Sequence, residues 1–337
     1  MTTLWVGGNG GMEASLVQRA GLPFEAIPAA GVHGVGLRSL PGNLLQLVRG
    51  VAAARRILAR LKPDVLFFTG GYVAAPMAVA AGNIPSVLYV PDIEPGMALK
   101  FLSRTAHVIA VTADDSRRYF SPGKVHVTGY PVRADLKQLD KTSARQSLGL
   151  DTSKKTLLVF GGSKGARSIN RALLSNLQAV LAMGIQIVHI SGELDHAEVS
   201  TARNQLPTDL AASYHLYPYL HEEMGAALAA ADLVISRAGA SALGEYPLFS
   251  LPSILVPYPY AWRYQKVNAD YLVSHGAAVM VVDDQLAGTM PLIVQQLITD
   301  PQRLENMGHA AASLAHPDAA AHIASLIMDQ ASGGQHG

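Results

Sequence analysis

Short apolar runs bounded by Gly, Pro or Asp recur along the whole chain, and longer stretches with helical spacing separate them. In the first half the runs are LWV (4–6), DVLFF (64–68), SVLYV (86–90), HVIAV (107–111) and KVHVT (124–128). In the second half they are TLLVF (156–160), IQIVHI (185–190), LVIS (233–236), PSILVP (252–257) and AAVMVV (277–282). Runs this short, apolar throughout and alternating with helices, predict strands of parallel sheets covered on both faces. The polar, charged stretch 134–156 separates the two series and places a linker at 138–155. The expected fold is α/β, with two Rossmann-like doubly wound domains facing a central cleft, and with ligands in the loops that follow the C-terminal ends of the strands.

Composition agrees with this picture. At 337 residues the chain is long for one core, and ~150 residues per domain suggests two. Hydrophobic residues make up 49%, enough for large cores. The absence of cysteine excludes disulfides, thiolate metal sites and a cysteine nucleophile. The longest apolar stretch, 73–90, is interrupted by Gly, Asn and Pro, so no membrane span is expected. The N-terminus lacks the pattern of a signal peptide, and a cytoplasmic protein is expected. The net charge of +1 hides an asymmetry: residues 1–133 hold 13 Lys+Arg against 7 Asp+Glu. A basic first half suits an anionic partner, although such a surplus is also ordinary over this length.

Three loops of the second half carry candidate chemistry. In LLVFGGSKGARSIN (157–170) a strand leads through Gly161, Gly162, Ser163, Lys164 and Gly165 into a helix. Glycines admit a phosphate close to the backbone, and a helix N-terminus offers free N–H groups. The spacing is neither the dinucleotide fingerprint nor a Walker loop. In LVISRAGASALGE (233–245) a loop from Arg237 through Ala240 to Ser241 precedes Glu245, one turn into a helix. A carboxylate there is placed either to accept hydrogen bonds from a ribose diol or to face solvent. In VPYPYAWRYQKVNA (256–269), Gln265 and Asn268 share one helix face, as sugar-reading amides or surface amides. Arg133 follows a strand end in VTGYPVR, and FFTGGYVAAP (67–76) pairs a strand with two glycines. Together these loops read as diphosphate, ribose and sugar contacts for a nucleotide sugar. No cluster suggests a metal, no cofactor is implied, and no nucleic-acid partner is expected.

The segments GGSKGARSIN, SRAGASALGE, LPSILVPYPY and QKVNA, with GGYVAAP in the first half, resemble the MurG-type glycosyltransferases. The likeness runs over nearly the whole chain, into HPDAAAHIASLI (316–327). It implies the two-domain GT-B fold and inverting transfer of N-acetylglucosamine from UDP-N-acetylglucosamine to undecaprenyl-pyrophosphoryl-MurNAc-pentapeptide (lipid I), giving lipid II for peptidoglycan. It divides the chain into an acceptor and membrane-facing domain at 1–137, the linker, a donor domain at 156–310, and a C-terminal helix at 311–330 that packs back across the cleft. Carried over by position, Gly162, Ser163 and Gly165 meet the donor diphosphate, and Arg133 meets it from the other domain. Leu220 and Met224 line the uracil, and Ala240 lies in the donor loop. Glu245 holds the ribose, and Gln265 and Asn268 hold the sugar. Gly70, Gly71 and Tyr72 match an acceptor-side loop.

The resemblance also marks departures. Tyr130 stands where the family's G-N-P-V-R has Asn, and Tyr89, Val90, Pro91 and Asp92 replace H-E-Q-N. The opening LWVGGNGGM is followed by residues like those of the family's second strand. On that alignment the first strand and the loop G-G-T-G-G-H, whose histidine is a favoured base, are missing. The expectation is an incomplete N-terminal domain and poor catalysis, with Asp92 and Glu94 the remaining candidates for the base. The rival readings are a catalytically poor UDP-sugar binder, a GT-B transferase for another acceptor, and a UDP-sugar epimerase, for which the cleft acids and histidines are not found. NLLQLVRGVAAARRILARLK (43–62) reads as a helix that either lies on an anionic membrane surface at the cytoplasmic face or packs its leucines inward.

Overall fold

The computed structural model describes residues 2–11, 13–30, 40–162 and 165–333. The chain forms two compact units. The first comprises Met1–Pro91, Pro95–Thr128 and Ala321–Gly337, and the second comprises Asp92–Glu94 and Gly129–Ala320.

The first unit contains β1 (Trp5–Gly8), β2 (Phe24–Ile27), β3 (Leu66–Phe68), β4 (Ser86–Val90), β5 (Val108–Val111) and β6 (Val125–Val127). Its helices are α1 (Glu13–Arg19), α2 (Leu40–Leu61), α3 (Ala74–Ala80) and α4 (Met97–Leu102). Every strand pairing is parallel, as the apolar runs predict. The pairings fall into two sheets, β1–β2 and β3–β4–β5–β6. One core joins them: Ile27 of β2 is buried in the same cluster as Phe68, Leu88, Ile109 and the Ala54–Ile57–Leu58 face of α2.

The second unit holds β7 (Thr156–Phe160), β8 (Gln186–Ile190), β9 (Tyr214–Tyr217), β10 (Leu233–Ser236), β11 (Ser253–Leu255) and β12 (Ala278–Met280). They form one parallel sheet in the order β12-β11-β10-β7-β8-β9. The order reverses between β7 and β10, so the loops after these two strands open side by side at the switch point where such sheets bind ligands. The helices are α5 (Lys141–Ser147), α6 (Arg167–Leu181), α7 (His196–Asn204), α8 (Thr208–Ala211), α9 (Met224–Ala230), α10 (Ala242–Leu248), α11 (Trp262–Ser274), α12 (Leu286–Ile298) and α13 (Pro301–Ser313), whereas α14 (Ala319–Gly333) belongs to the first unit from Ala321 onward. Leu173, Leu177 and Val180 of α6 are buried with Leu157, Ile187, Ile235 and Ile254 of the sheet.

The structure redraws the domain boundary. Residues 138–155 are not a linker: Asp140 caps α5 by accepting from the N–H groups of Thr142 and Ser143, and α5 packs on α9. Just before it, Leu136 and Leu139 fill the space left by the missing side chain of Gly225. Polar composition hides a short capped helix whose few buried residues suffice to dock it. The second unit accordingly begins at Gly129, so Arg133 belongs to it and does not reach the donor site from another domain. The tail is divided at residue 321, and Ile323, Leu326 and Ile327 of α14 pack with Tyr89 and Ala110.

Candidate active site

The loop after β7 is built on its glycines. Gly162 and Gly165 have φ of +94° and +76°, and the N–H of Gly165 donates to the Gly162 carbonyl at 2.9 Å. A Cβ on Gly161 would lie 2.1 Å from the Ala166 nitrogen, and one on Gly165 would lie 2.6 Å from the Ser191 carbonyl oxygen. Ala166, the N-cap of α6, has no side chain that could cap the first-turn N–H groups, which suits a helix N-terminus that meets an anion. Ser163 and Lys164 lie outside the described residues.

A buried polar network holds this loop and helix on the sheet. Asn170 of α6 donates to the Ser191 carbonyl (2.8 Å) and to Asp195 (2.9 Å), and its Oδ1 lies 3.0 Å from Nε2 of His189. Since that oxygen only accepts, Nε2 carries the proton of His189, and Nδ1 accepts from the Tyr214 hydroxyl at 2.6 Å. Burial depresses the His189 pKa to about 3, which keeps the ring neutral.

The second loop is anchored by Arg237. Its guanidinium donates to Ser168 in the first turn of α6, to the Val256 carbonyl, and to Asp283. One largely buried side chain thus ties the loop after β10 to α6 and to the segments after β11 and β12. Nothing local in the sequence signals this, because the partners lie 19 to 69 positions away.

Beside these loops lies a pocket of about 240 Å³. Arg133, Leu220, Met224 and Glu245 line it together. Leu136, Tyr219, His221, Gly225 and Leu228 complete the lining. Of these, Leu136, Tyr219, Gly225 and Leu228 are not legible in the sequence, because they carry no group that marks a ligand site. Burial raises the pKa of Glu245, against a hydrogen bond from Ser241 and the charge of Arg133. Arg133 also lies 3.4 Å from Asp135. Tyr130 packs on Gly244, where any Cβ would come within 2.7 Å of its ring. Burial, with the charges of Glu245 and Asp92, raises the Tyr130 pKa.

The two amides of α11 behave differently. Gln265 is partly exposed, and its Oε1 accepts from the Tyr258 N–H at 2.8 Å. Asn268 is fully buried. Its Oδ1 accepts from the Ile93 N–H (3.0 Å), and its Nδ2 donates to Asp92 (2.8 Å) and to the Ala238 carbonyl (3.2 Å). Both N–H bonds of the amide and its oxygen are engaged, so the expected role of Asn268 as a sugar contact is corrected to an internal brace. Glu94 is also engaged: its carboxylate receives Nε and Nη2 of Arg263 at 3.0 and 2.6 Å. It does not fit the expectation of a base. Ala240 is partly exposed at the head of α10.

In the first unit Gly70 and Gly71 follow β3 with φ of +106° and +81° and lead to Tyr72, which is 63% exposed. Met12 lies outside the described residues. No helix is long and apolar enough to cross a membrane, and no group of three or more His, Cys, Asp or Glu suits a metal, both among the described residues.

A glycine loop, a helix N-terminus and a pocket at a sheet switch point suit a nucleotide-sugar ligand, and the family matches make the protein a glycosyltransferase. The glycosyltransferase family 28 N-terminal domain matches residues 1–111, and the family 28 C-terminal domain matches residues 156–323. The chain belongs to glycosyltransferase family 28 and has the GT-B fold. A relative from Roseiflexus sp. is 41% identical, over 97% of this chain and 83% of its own length. It is named UDP-N-acetylglucosamine--N-acetylmuramyl-(pentapeptide) pyrophosphoryl-undecaprenol N-acetylglucosamine transferase. A relative of the same name from Desulforamulus reducens is 36% identical, over 96% and 89%. Among solved structures, Acinetobacter baumannii MurG has a TM-score of 0.74 at 24% identity, covering 97% of this chain and 91% of that one. UDP-GlcNAc 2-epimerase from Neisseria meningitidis has a TM-score of 0.66 at 14%, covering 98% and 100%. The fold is therefore shared between transferases and epimerases, and the family match separates them.

Proposed function

We propose that this chain transfers N-acetylglucosamine from UDP-N-acetylglucosamine to lipid I, forming lipid II. The observation that carries this reading is the convergence of Arg133, Leu220, Met224 and Glu245 on one pocket beside the switch-point loops. The uracil lies against Leu220 and Met224, and Glu245 accepts from the ribose hydroxyls. The diphosphate meets Gly162, Ser163, Gly165 and the N-terminus of α6, with Arg133 beside it. As the anomeric bond breaks, charge grows on the leaving diphosphate, and preformed N–H groups there stabilise it. Gln265 reads the sugar, and its Nε2 has no protein partner among the described residues. On the acceptor side Gly70, Gly71 and Tyr72 approach the lipid pyrophosphate.

The acceptor is a lipid, and α2 supports work at an anionic membrane surface, on the cytoplasmic face where the UDP-sugar donor is available. Gly50, Ala54, Ile57 and Leu58 of this helix are buried, whereas Leu44, Leu45 and Val48 are 57%, 50% and 60% exposed. Arg49, Arg55, Arg56 and Arg60 are exposed around them. Apolar side chains among arginines suit a peripheral contact with acidic lipid.

Calorimetry with UDP-N-acetylglucosamine, run beside radiolabel transfer to lipid I in vesicles, tests the reading. Binding with transfer is the expected result. Binding without transfer would leave a UDP-sugar-binding protein, and the absence of both would reject the site. Co-sedimentation with vesicles containing phosphatidylglycerol, lost at high salt, is expected for the membrane contact.

A further inference from the structure

The transfer needs a group that removes the acceptor proton, and within the second unit two carboxylates, Asp92 and Glu94, follow one another closely in a single segment. The structure separates them. Glu94 is buried, and both of its oxygens are committed to Arg263. Asp92 is partly exposed. Its Oδ1 accepts from Asn268, and its other oxygen has no partner among the described residues.

Asn268 does more than touch Asp92. Because the Ile93 N–H must point at an oxygen, the amide cannot be turned over, and its nitrogen is fixed toward Asp92 and the Ala238 carbonyl. Ala238 begins the loop that runs through Ala240 to α10 and Glu245. One buried amide therefore ties the carboxylate of partly exposed Asp92 to the backbone of the donor loop. A reactive group oriented by a second residue, itself held by the fold, is the arrangement general bases show.

We propose that Asp92 is the general base of the transfer and that Asn268 is its positioning residue. This assignment rests on the transferase reading above. The free oxygen of Asp92 takes the proton of the acceptor hydroxyl as that oxygen bonds the anomeric carbon. The bond from the anomeric carbon to the diphosphate oxygen breaks, and its electron pair leaves with UDP. Tyr130, in the loop after β6, feels the charges of both Asp92 and Glu245 of α10, and the Glu94–Arg263 pair lies two residues along the segment. Burial raises the Asp92 pKa, and the Asn268 hydrogen bond opposes the rise. The working form is the carboxylate, so activity falls as pH falls through that elevated value.

The test uses the full chain with UDP-N-acetylglucosamine and a lipid I analogue, comparing wild type with D92N and D92A. Loss of a general base is expected to lower kcat by ~10²- to 10⁴-fold. UDP affinity is expected to change by less than about two-fold, because Asp92 takes no part in nucleotide binding in this reading. The acid limb of the pH profile disappears in D92N, and formate restores part of the activity to D92A but adds nothing to wild type. A merely structural role would produce neither the altered profile nor the rescue. Near wild-type kcat in D92N, an unchanged acid limb, or a parallel loss of UDP affinity overturns the assignment. A wild-type chain that binds UDP and transfers nothing overturns the transferase reading together with it. Where the wild-type chain does transfer, any of the three adverse results in D92N counts against Asp92 alone.

Discussion

Nη2 of Arg145 lies 2.5 Å from Oδ2 of Asp232, with side-chain exposures of 10% and 8%. The same guanidinium donates to the Ala230 and Thr152 carbonyls, and the same carboxylate accepts from the Thr156 N–H at 2.7 Å and from Lys141 at 2.8 Å. This cluster ties α5 to the end of α9 and the start of β7. Removing one member of such a pair strands the other charge without a partner. Asp232→Ala is expected to cost ~3–5 kcal/mol, read as a lower urea midpoint of the second unit. Asp232→Asn retains an acceptor for Thr156 and is expected to lose less.

The Asp232 cluster also shows what composition hides. Residues 138–155 look like a linker because their charges are counted, and their partners are not visible locally. The ten apolar runs all form strands, since burial on both faces leaves a continuous pattern. The strands without such a run, β2 (FEAI) and β9 (YHLY), are edge strands in which a polar residue breaks the apolar sequence. In the site, the glycines are legible because paired glycines after a strand mark a tight turn, and Glu245 is visible as a lone charge in the first turn of a helix, although the sequence leaves open whether it faces a ligand or solvent. Asn268 misleads because its helix face suggests a ligand contact and its burial is invisible in the sequence. The bracket at Arg237 is beyond reach, as it exists only once α6 and the segments after β10, β11 and β12 are folded together.

His189 gives stability a pH dependence of its own. Its folded pKa of about 3 lies below the ordinary 6.5, so between these values the unfolded chain binds a proton that the folded chain refuses. Stability from this group is complete above pH ~6.5 and declines as pH falls toward 3, by at most ~1.4 kcal/mol per pH unit. His189→Gln is expected to flatten that slope. The check is the difference between wild-type and variant unfolding free energies measured from pH 7 to pH 4. Parallel curves would mean that the ring does not titrate on unfolding.

The glycine loop makes a graded prediction. Ala at Gly162 meets open space and suffers only the strain of φ +94°, about 1–2 kcal/mol. Ala at Gly165 carries similar strain and also forces a Cβ to 2.6 Å from the Ser191 carbonyl. That carbonyl is held by Asn170, so it does not yield easily. G165A is therefore expected to weaken UDP binding and lower Tm more than G162A. Calorimetry and thermal melts of both variants check the order, and equal effects would remove the Ser191 contact as the cause.

Glu245 offers the sharpest reading of the nucleotide pocket. Its half-buried carboxylate lies by Arg133, Tyr130 and Ser241 and lines the cavity. In Glu245→Gln the amide keeps the shape and one acceptor but loses the charge. Hydrogen bonds to a charged group are worth ~1.5–3 kcal/mol, so UDP affinity is expected to fall by roughly 10- to 100-fold. A ligand that lacks the ribose diol makes no such bonds. With 2′,3′-dideoxy-UDP the wild type and E245Q are therefore expected to bind alike, and weakly. If the variant loses affinity for both ligands equally, Glu245 shapes the pocket and does not read the ribose. Comparing the two ligands on the same two proteins separates these roles, because any general damage to the fold would appear in both titrations.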